Sequence, residues 1–181
     1  TLNPFISRYL DLALLHLKSN VMRTYPIGVS RILEVFEDGQ VYRITLKDTQ
    51  SAAEAVFHKA RWGFFLRFLN EIDEEVQKLK EGKDDRQRFL FHYGGGWQVS
   101  VNGGIRCVDL RRFFKNYKNE IKPTRHGIGL RLPEWETLKR VIQQVRVDFP
   151  DLDTITGCFH GDLEDFVNCR ECMPFHRPVE E

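Results

Sequence analysis

No stretch of this chain reaches the roughly 18 consecutive apolar residues that a membrane-spanning helix requires, so no membrane partner is expected. Cysteine is scarce. Four in 181 residues cannot frame a disulfide-stapled fold, and a reducing, intracellular setting is expected. An excess of one charge is also lacking, and a formal net charge of +1 names no partner by itself. Residues Thr1 to Leu17 carry neither a basic leader nor a small-residue cleavage site, so no secretory signal is expected. A start on Thr suggests a piece of something longer. Catalytic signatures are missing too: no zinc-protease helix, phosphate-binding Walker loop or nucleophile elbow can be assembled. Asp148, Asp151 and Asp153 could suggest a nuclease metal site, but they follow a helix end beside Pro150, where a solvated turn is the plainer reading. A non-catalytic protein is the expectation.

What is present suffices for a core. Hydrophobic residues are 41% and aromatic residues 12% of the chain, enough for one or two domains. The charge is unevenly spread. From Arg106 to Arg146 there are eleven Lys or Arg against four Asp or Glu. From Val147 to Glu181 two basic residues face nine acidic ones. A basic stretch beside an acidic tail is an asymmetry associated with nucleic-acid work, although two differing solvated surfaces would produce it as well.

Residues 4–18 carry apolar residues at helical spacing and predict an N-terminal helix within residues 1–20. Ser30 to Phe36 and Val41 to Leu46 alternate around Asp38-Gly39, which predicts a β-hairpin. After the short run Ala55-Val56-Phe57, the offsets of Trp62, Phe65, Leu66, Leu69, Ile72, Val76 and Leu79 predict one strong helix over 62–79. A charged linker is expected at 81–87. The plan then repeats: strands at Arg88 to His92, Trp97 to Val101 and Ile105 to Phe114, with Gly94 to Gly96 as a bend or bulge. A polar loop from Lys115 to Arg125 precedes a short run at Gly127 to Leu132. A helix opens at Pro133, its stripe being Trp135, Leu138, Ile142, Val145 and Phe149. Strands followed by one helix with Trp near its start therefore occur twice, at 21–80 and 88–150, and an internal duplication is expected.

Three features of the second half belong together. Val108 to Arg111 reads Val-Asp-Leu-Arg and is followed directly by aromatics. Lys122 to Ile128 reads Lys-Pro-x-Arg-x-Gly-Ile, and Leu130 to Lys139 reads Leu-x-x-x-x-Trp-x-x-Leu-Lys. In order and spacing they resemble the single-stranded-DNA-binding domain of the transcriptional coactivator positive cofactor four, whose fold is Whirly-like. The resemblance implies an α+β fold in which two curved antiparallel sheets, each with a helix, pair through the helices and take an extended single strand. With a degenerate first copy at 21–80, the chain would form that pair within one polypeptide as a pseudo-dimer.

Single-strand binding needs cations for phosphates and flat faces for unstacked bases. Arg106, Arg111, Lys115, Lys122 and Arg125 are the candidate cations, with Arg112 and Arg131 beside them. Trp97 and Phe114 are the candidate rings, with Phe113 and Tyr117 nearby. Arg111 and Phe113 should face one way on a strand and Arg112 and Phe114 the other. The resemblance favours Arg111, joined by Lys122, Arg125 and His126 from the loop that follows. Asn102-Gly103-Gly104 replaces a turn that usually carries an aromatic and lysines in that family, which removes contacts. Trp97 is either a compensating platform or a buried side chain, and Trp62 and Trp135 read as core.

The tail, 151–181, offers Cys158-x-His160 and Cys169-x-x-Cys172, four ligands suited to a tetrahedral structural zinc, with His176 able to replace His160. Unpaired thiols and a disulfide are the alternatives. The expected function is non-catalytic binding of single-stranded or melted DNA in transcription, replication or recombination, in a nuclear setting. Transcription or replication proteins and a second copy of the chain are possible further partners. An assembly module of a larger DNA-processing protein, or a duplex binder, is the alternative.

Overall fold

The computed structural model describes residues 20–82, 89–102, 104–154, 158 and 162–175. The expected N-terminal helix, most of the linker and His160 lie outside the described residues. Among the described residues, eight strands form two antiparallel sheets, each a meander of four in sequence order. The first holds β1 (Val21–Pro26), β2 (Arg31–Asp38), β3 (Val41–Asp48) and β4 (Glu54–His58); the second holds β5 (Phe89–Gly94), β6 (Trp97–Asn102), β7 (Cys107–Lys115) and β8 (Ile121–Arg131). Helices α1 (Lys59–Arg67) and α2 (Leu69–Lys80) follow the first sheet, and α3 (Leu132–Asp148) follows the second. A short helix α4 (Leu163–Asn168) sits in the tail. None of the described helices is long and apolar enough to cross a membrane.

Local chemistry accounts for the meanders. Asp38 pairs with Val41 across a two-residue turn whose first position is Gly39 at φ +63°, a geometry a side chain adopts only with strain. On β2, Leu33 and Val35 are fully buried and their neighbours are not; Ile44 and Leu46 on β3 meet them in register. The second sheet repeats this with Val99, Val101, Val108, Leu110, Ile128 and Leu130, all facing one side.

Three elements depart from the sequence expectations. β1 carries a single buried residue, Tyr25, so this edge strand has almost no hydrophobic alternation to find. The helix over 62–79 is two helices that meet at Phe68, where φ −108° and ψ 14° leave the helical region. Phe68 packs there on Phe91 of β5, with ring centroids 3.7 Å apart, and the bend lays the pair across the second sheet. The polar loop 115–125 is mostly strand, since β8 begins at Ile121 and includes Pro123. Proline is tolerated because β8 is an edge strand with no partner on its far side.

The helices are shared between the sheets. α1 contacts β3 and β4 of its own half and also β5 of the other. α3 lies on β7 and β8, yet its Asp148 accepts a 2.7 Å hydrogen bond from Tyr25, and Phe149 stacks edge-on against Tyr42. One continuous core results, containing Trp62 and Trp135 as expected, with Phe57, Phe65 and Tyr93 clustered at its centre.

The helix–helix seam is closed by Asp73 of α2. Its Oδ1 accepts from the indole Nε1 of fully buried Trp135 at 3.1 Å and from Lys139 Nζ at 2.6 Å, both on α3. Asp73→Ala strands a buried indole N–H, so it should cost about 1–3 kcal/mol in a urea unfolding series. An unchanged midpoint would show that the seam does not depend on this bond.

Candidate nucleic-acid interface and cysteine cluster

The interface is built on β7 and β8. Their pairing is regular from Cys107↔Arg131 to Arg111↔Gly127 and then slips, so that Phe113 pairs with Pro123 and Thr124 to His126 bulge outward opposite Arg112. Arg111 holds this bulge. Its Nε and Nη2 donate to Asp109 at 2.9 and 3.0 Å, and its Nη1 donates to the carbonyl of Thr124 at 3.1 Å. The hydrogen bond to Asp109 raises its pKa above the ordinary arginine value. Three of its five N–H donors are thus committed within the protein, and a carboxylate offsets its charge. Arg111 positions the strand more than it presents a cation.

Beyond the bulge, residues 112–125 form a projecting hairpin arm. It carries Arg112, Lys115, Lys118, Lys122 and Arg125 against a single carboxylate, Glu120. The Asn116 side chain shapes the tip, its Oδ1 accepting from the backbone N–H groups of Lys118 and Glu120 at 2.9 Å each. Arg112, Lys118, Lys122, Arg125 and His126 are exposed, with Lys122 3.1 Å from Glu120. Phe114 is 47% and Tyr117 82% exposed, so two rings stand in solvent among the cations. Phe114 and Lys122 are direct cross-strand partners.

The other expected residues are placed differently. Trp97 is 7% exposed and faces the core beside Tyr93, so it offers no ring to a base. Its position on β6 puts it on the same face as Val99 and Val101, which is the physical reason the platform reading fails. Arg106 is exposed at φ +51° in the turn before β7, away from the arm. Lys115 is half-buried and donates to the carbonyl of Phe175 at 3.2 Å. Lys122, Arg125 and His126 lie on β8 and not in a loop. Arg112 and Tyr117, side candidates in the sequence, are central to the arm. Two of the three acidic residues at the end of α3 are ion-paired: Asp148, its last residue, with Arg23 at 2.7 Å and Asp153 with Arg146 at 2.9 Å.

Residues 98–141 match the family model of the Transcriptional Coactivator p15 (PC4). The PC4 segment runs from β6 through the arm into α3, so the bulge, Arg111 and every exposed ring and cation of the arm fall inside it. No solved structure matches the chain at a significant level.

The tail places a second cluster beside the first turn of this sheet. The Sγ atoms of Cys158, Cys169 and Cys172 lie within 4.8 Å of one another, and none is in a disulfide. That spacing suits one ion bound at about 2.3 Å from each sulfur with small side-chain adjustment. Backbone N–H groups of Cys172 and Glu171 bond Cys169 and lower its pKa, while burial pushes Cys172 up to about 12 and raises Cys158. Amide donors aimed at one sulfur, with two more thiols whose protons a cation would displace, fit a zinc donor set.

Two glycines of the PC4 segment face Arg111 and Asp109. A Cβ at Gly127 would stand 2.7 Å from the Leu110 carbonyl and 2.9 Å from Arg111 Cα, both backbone, whereas at Gly129 the nearest atoms are 3.9 Å away. Gly127→Ala should therefore lower thermal stability by about 1–3 kcal/mol equivalent, as overpacking does, and Gly129→Ala should be near neutral. Equal effects in a melting comparison would contradict this geometry.

Proposed function

We propose that this chain binds nucleic acid without catalysis, with single-stranded or locally melted DNA as its ligand and transcription as its setting. The observation that carries the reading is the arm: two exposed rings, Phe114 and Tyr117, set among five cations inside the segment that matches the PC4 coactivator family. Phosphates are held by Arg112, Lys118, Lys122 and Arg125, and unstacked bases lie on the rings. His126 flanks the same strand, Arg111 and Asp109 fix the bulge that aims them, and Arg106 meets the backbone further along. The two sheet-plus-helix halves, 21–80 and 88–150, act as a pseudo-dimer whose shared helices hold the sheets at a fixed angle. A nuclear location follows from the coactivator likeness. The three cysteines hold one structural zinc, with His160 as the fourth ligand.

Affinity for a labelled oligo-dT of about 20 nucleotides should exceed that for matched duplex. It should fall with salt at a slope of about 0.7 per phosphate contact, so Arg112→Ala/Arg125→Ala should flatten the slope by about 1.4. Phe114→Ala should cost about 1–3 kcal/mol of binding. Preference for duplex would keep the arm and overturn the ligand; no binding to either at low salt would leave an assembly module as the function.

Elemental analysis of protein purified without chelator should find one zinc per chain, lost in Cys172→Ser. Metal-free wild type with a native melt would remove the zinc assignment.

A further inference from the structure

The helix of the tail contributes little hydrophobic anchoring of its own. α4 buries none of its residues, Leu163 is 76% and Phe166 40% exposed, and a helix of six residues is marginal by itself. Yet the segment around Cys172 makes specific polar contacts with both halves of the fold. The Glu171 carboxylate takes hydrogen bonds from Arg61 of α1 at 2.6 and 3.3 Å, and His58 Nε2 stands 3.4 Å away. The Glu171 carbonyl accepts from the N–H of Gly95, in the turn between β5 and β6, at 3.0 Å.

That turn is shaped to receive it. Gly94, Gly95 and Gly96 all have positive φ, at +120°, +58° and +81°. The backbone alone calls for glycine at 94 and 96, whereas Asn or Asp commonly fills the first position of such a turn, so at Gly95 close approach decides. A Cβ at Gly94 would lie 2.8 Å from Glu171 Oε2, and one at Gly95 2.5 Å from Arg61 Nη2 and 3.0 Å from Glu171 Oε1; at Gly96 the nearest atom is the Phe113 carbonyl at 2.9 Å, with the Phe175 ring in ordinary contact at 3.6 Å. The ring of Phe175 also faces His92, with centroids 6.4 Å apart, and its carbonyl takes the Lys115 ammonium. The docked tail thus engages one of the arm's five cations, Lys115.

We infer that the tail is a metal-locked clasp that competes with nucleic acid for Lys115 of the arm. The inference rests on the zinc and single-strand readings above. The cysteine cluster supplies the order that α4 cannot, Glu171 latches it into the triple-glycine turn, and Lys115 is held on Phe175 while the latch is closed. Opening the latch frees Lys115 for a phosphate. Binding of strand and docking of tail therefore oppose each other, and by linkage a bound strand weakens the hold of the tail.

Oligo-dT affinity is measured across a salt series with the full chain in three forms: zinc-loaded wild type, chelated wild type, and zinc-loaded Glu171→Ala. Glu171→Ala should retain one zinc, bind several-fold tighter than wild type, and show a salt slope steeper by about 0.7, the contribution of one freed cation. Chelated wild type should match it. Adding Lys115→Gln to Glu171→Ala should remove the extra slope. Equal affinity and slope for zinc-loaded wild type and Glu171→Ala would overturn the clasp while leaving strand binding and zinc in place. Absence of oligo-dT binding in every form, or of zinc in wild type, would instead overturn the reading on which it rests.

Discussion

Each sheet of this protein has one apolar face, and the helices that cover those faces are shared. α1 and α2 reach from the first half onto β5 and β6, and α3 reaches back to Tyr25 and Tyr42. Neither half can therefore be moved without opening the ring cluster of Phe57, Phe65, Tyr93 and Trp135 at the centre. Burial of such rings contributes roughly 25 cal/mol per Å² of apolar area removed from water. The placement of β7 and β8, and with them the arm, depends on it.

The arm itself trades stability for presentation. Five cations within fourteen residues repel one another, and only Glu120 offsets them locally. The hairpin persists because its root is held twice: by Arg111 bridging Asp109 to Thr124, and by Phe113, whose N–H bonds Gly96 and whose ring is 8% exposed. A buried root and a charged, ring-bearing tip divide the work. The root sets direction, and in the proposed function the tip meets the ligand.

Much of this was legible beforehand. The Asp38-Gly39 hairpin, the strands around Gly94 to Gly96 and the helix opening at Pro133 follow from turn chemistry and periodicity, and the structure has them. The PC4 likeness was visible in the order of Val108 to Arg111, Lys122 to Ile128 and Leu130 to Lys139. What was hidden depends on tertiary partners. β1 has one buried residue to announce it, and the break at Phe68 exists because Phe91 lies beneath it. Trp97 could be an exposed platform or core until its register with Arg112 and its shared face with Val99 were known. Pro123 read as loop because nothing in the sequence says that β8 is an edge. Arg111 was favoured as a contact, and its engagement by Asp109 two residues earlier on the same strand was not legible in the sequence, whereas Arg112 is exposed.

Photo-crosslinking of a thymine-rich single strand to the zinc-loaded chain, with the adducts mapped by mass spectrometry, tests the central claim most directly. The account predicts adducts on Phe114 and Tyr117, abolished by excess unlabelled strand. Adducts confined to the first sheet or to the tail, with the arm unmodified, would contradict it.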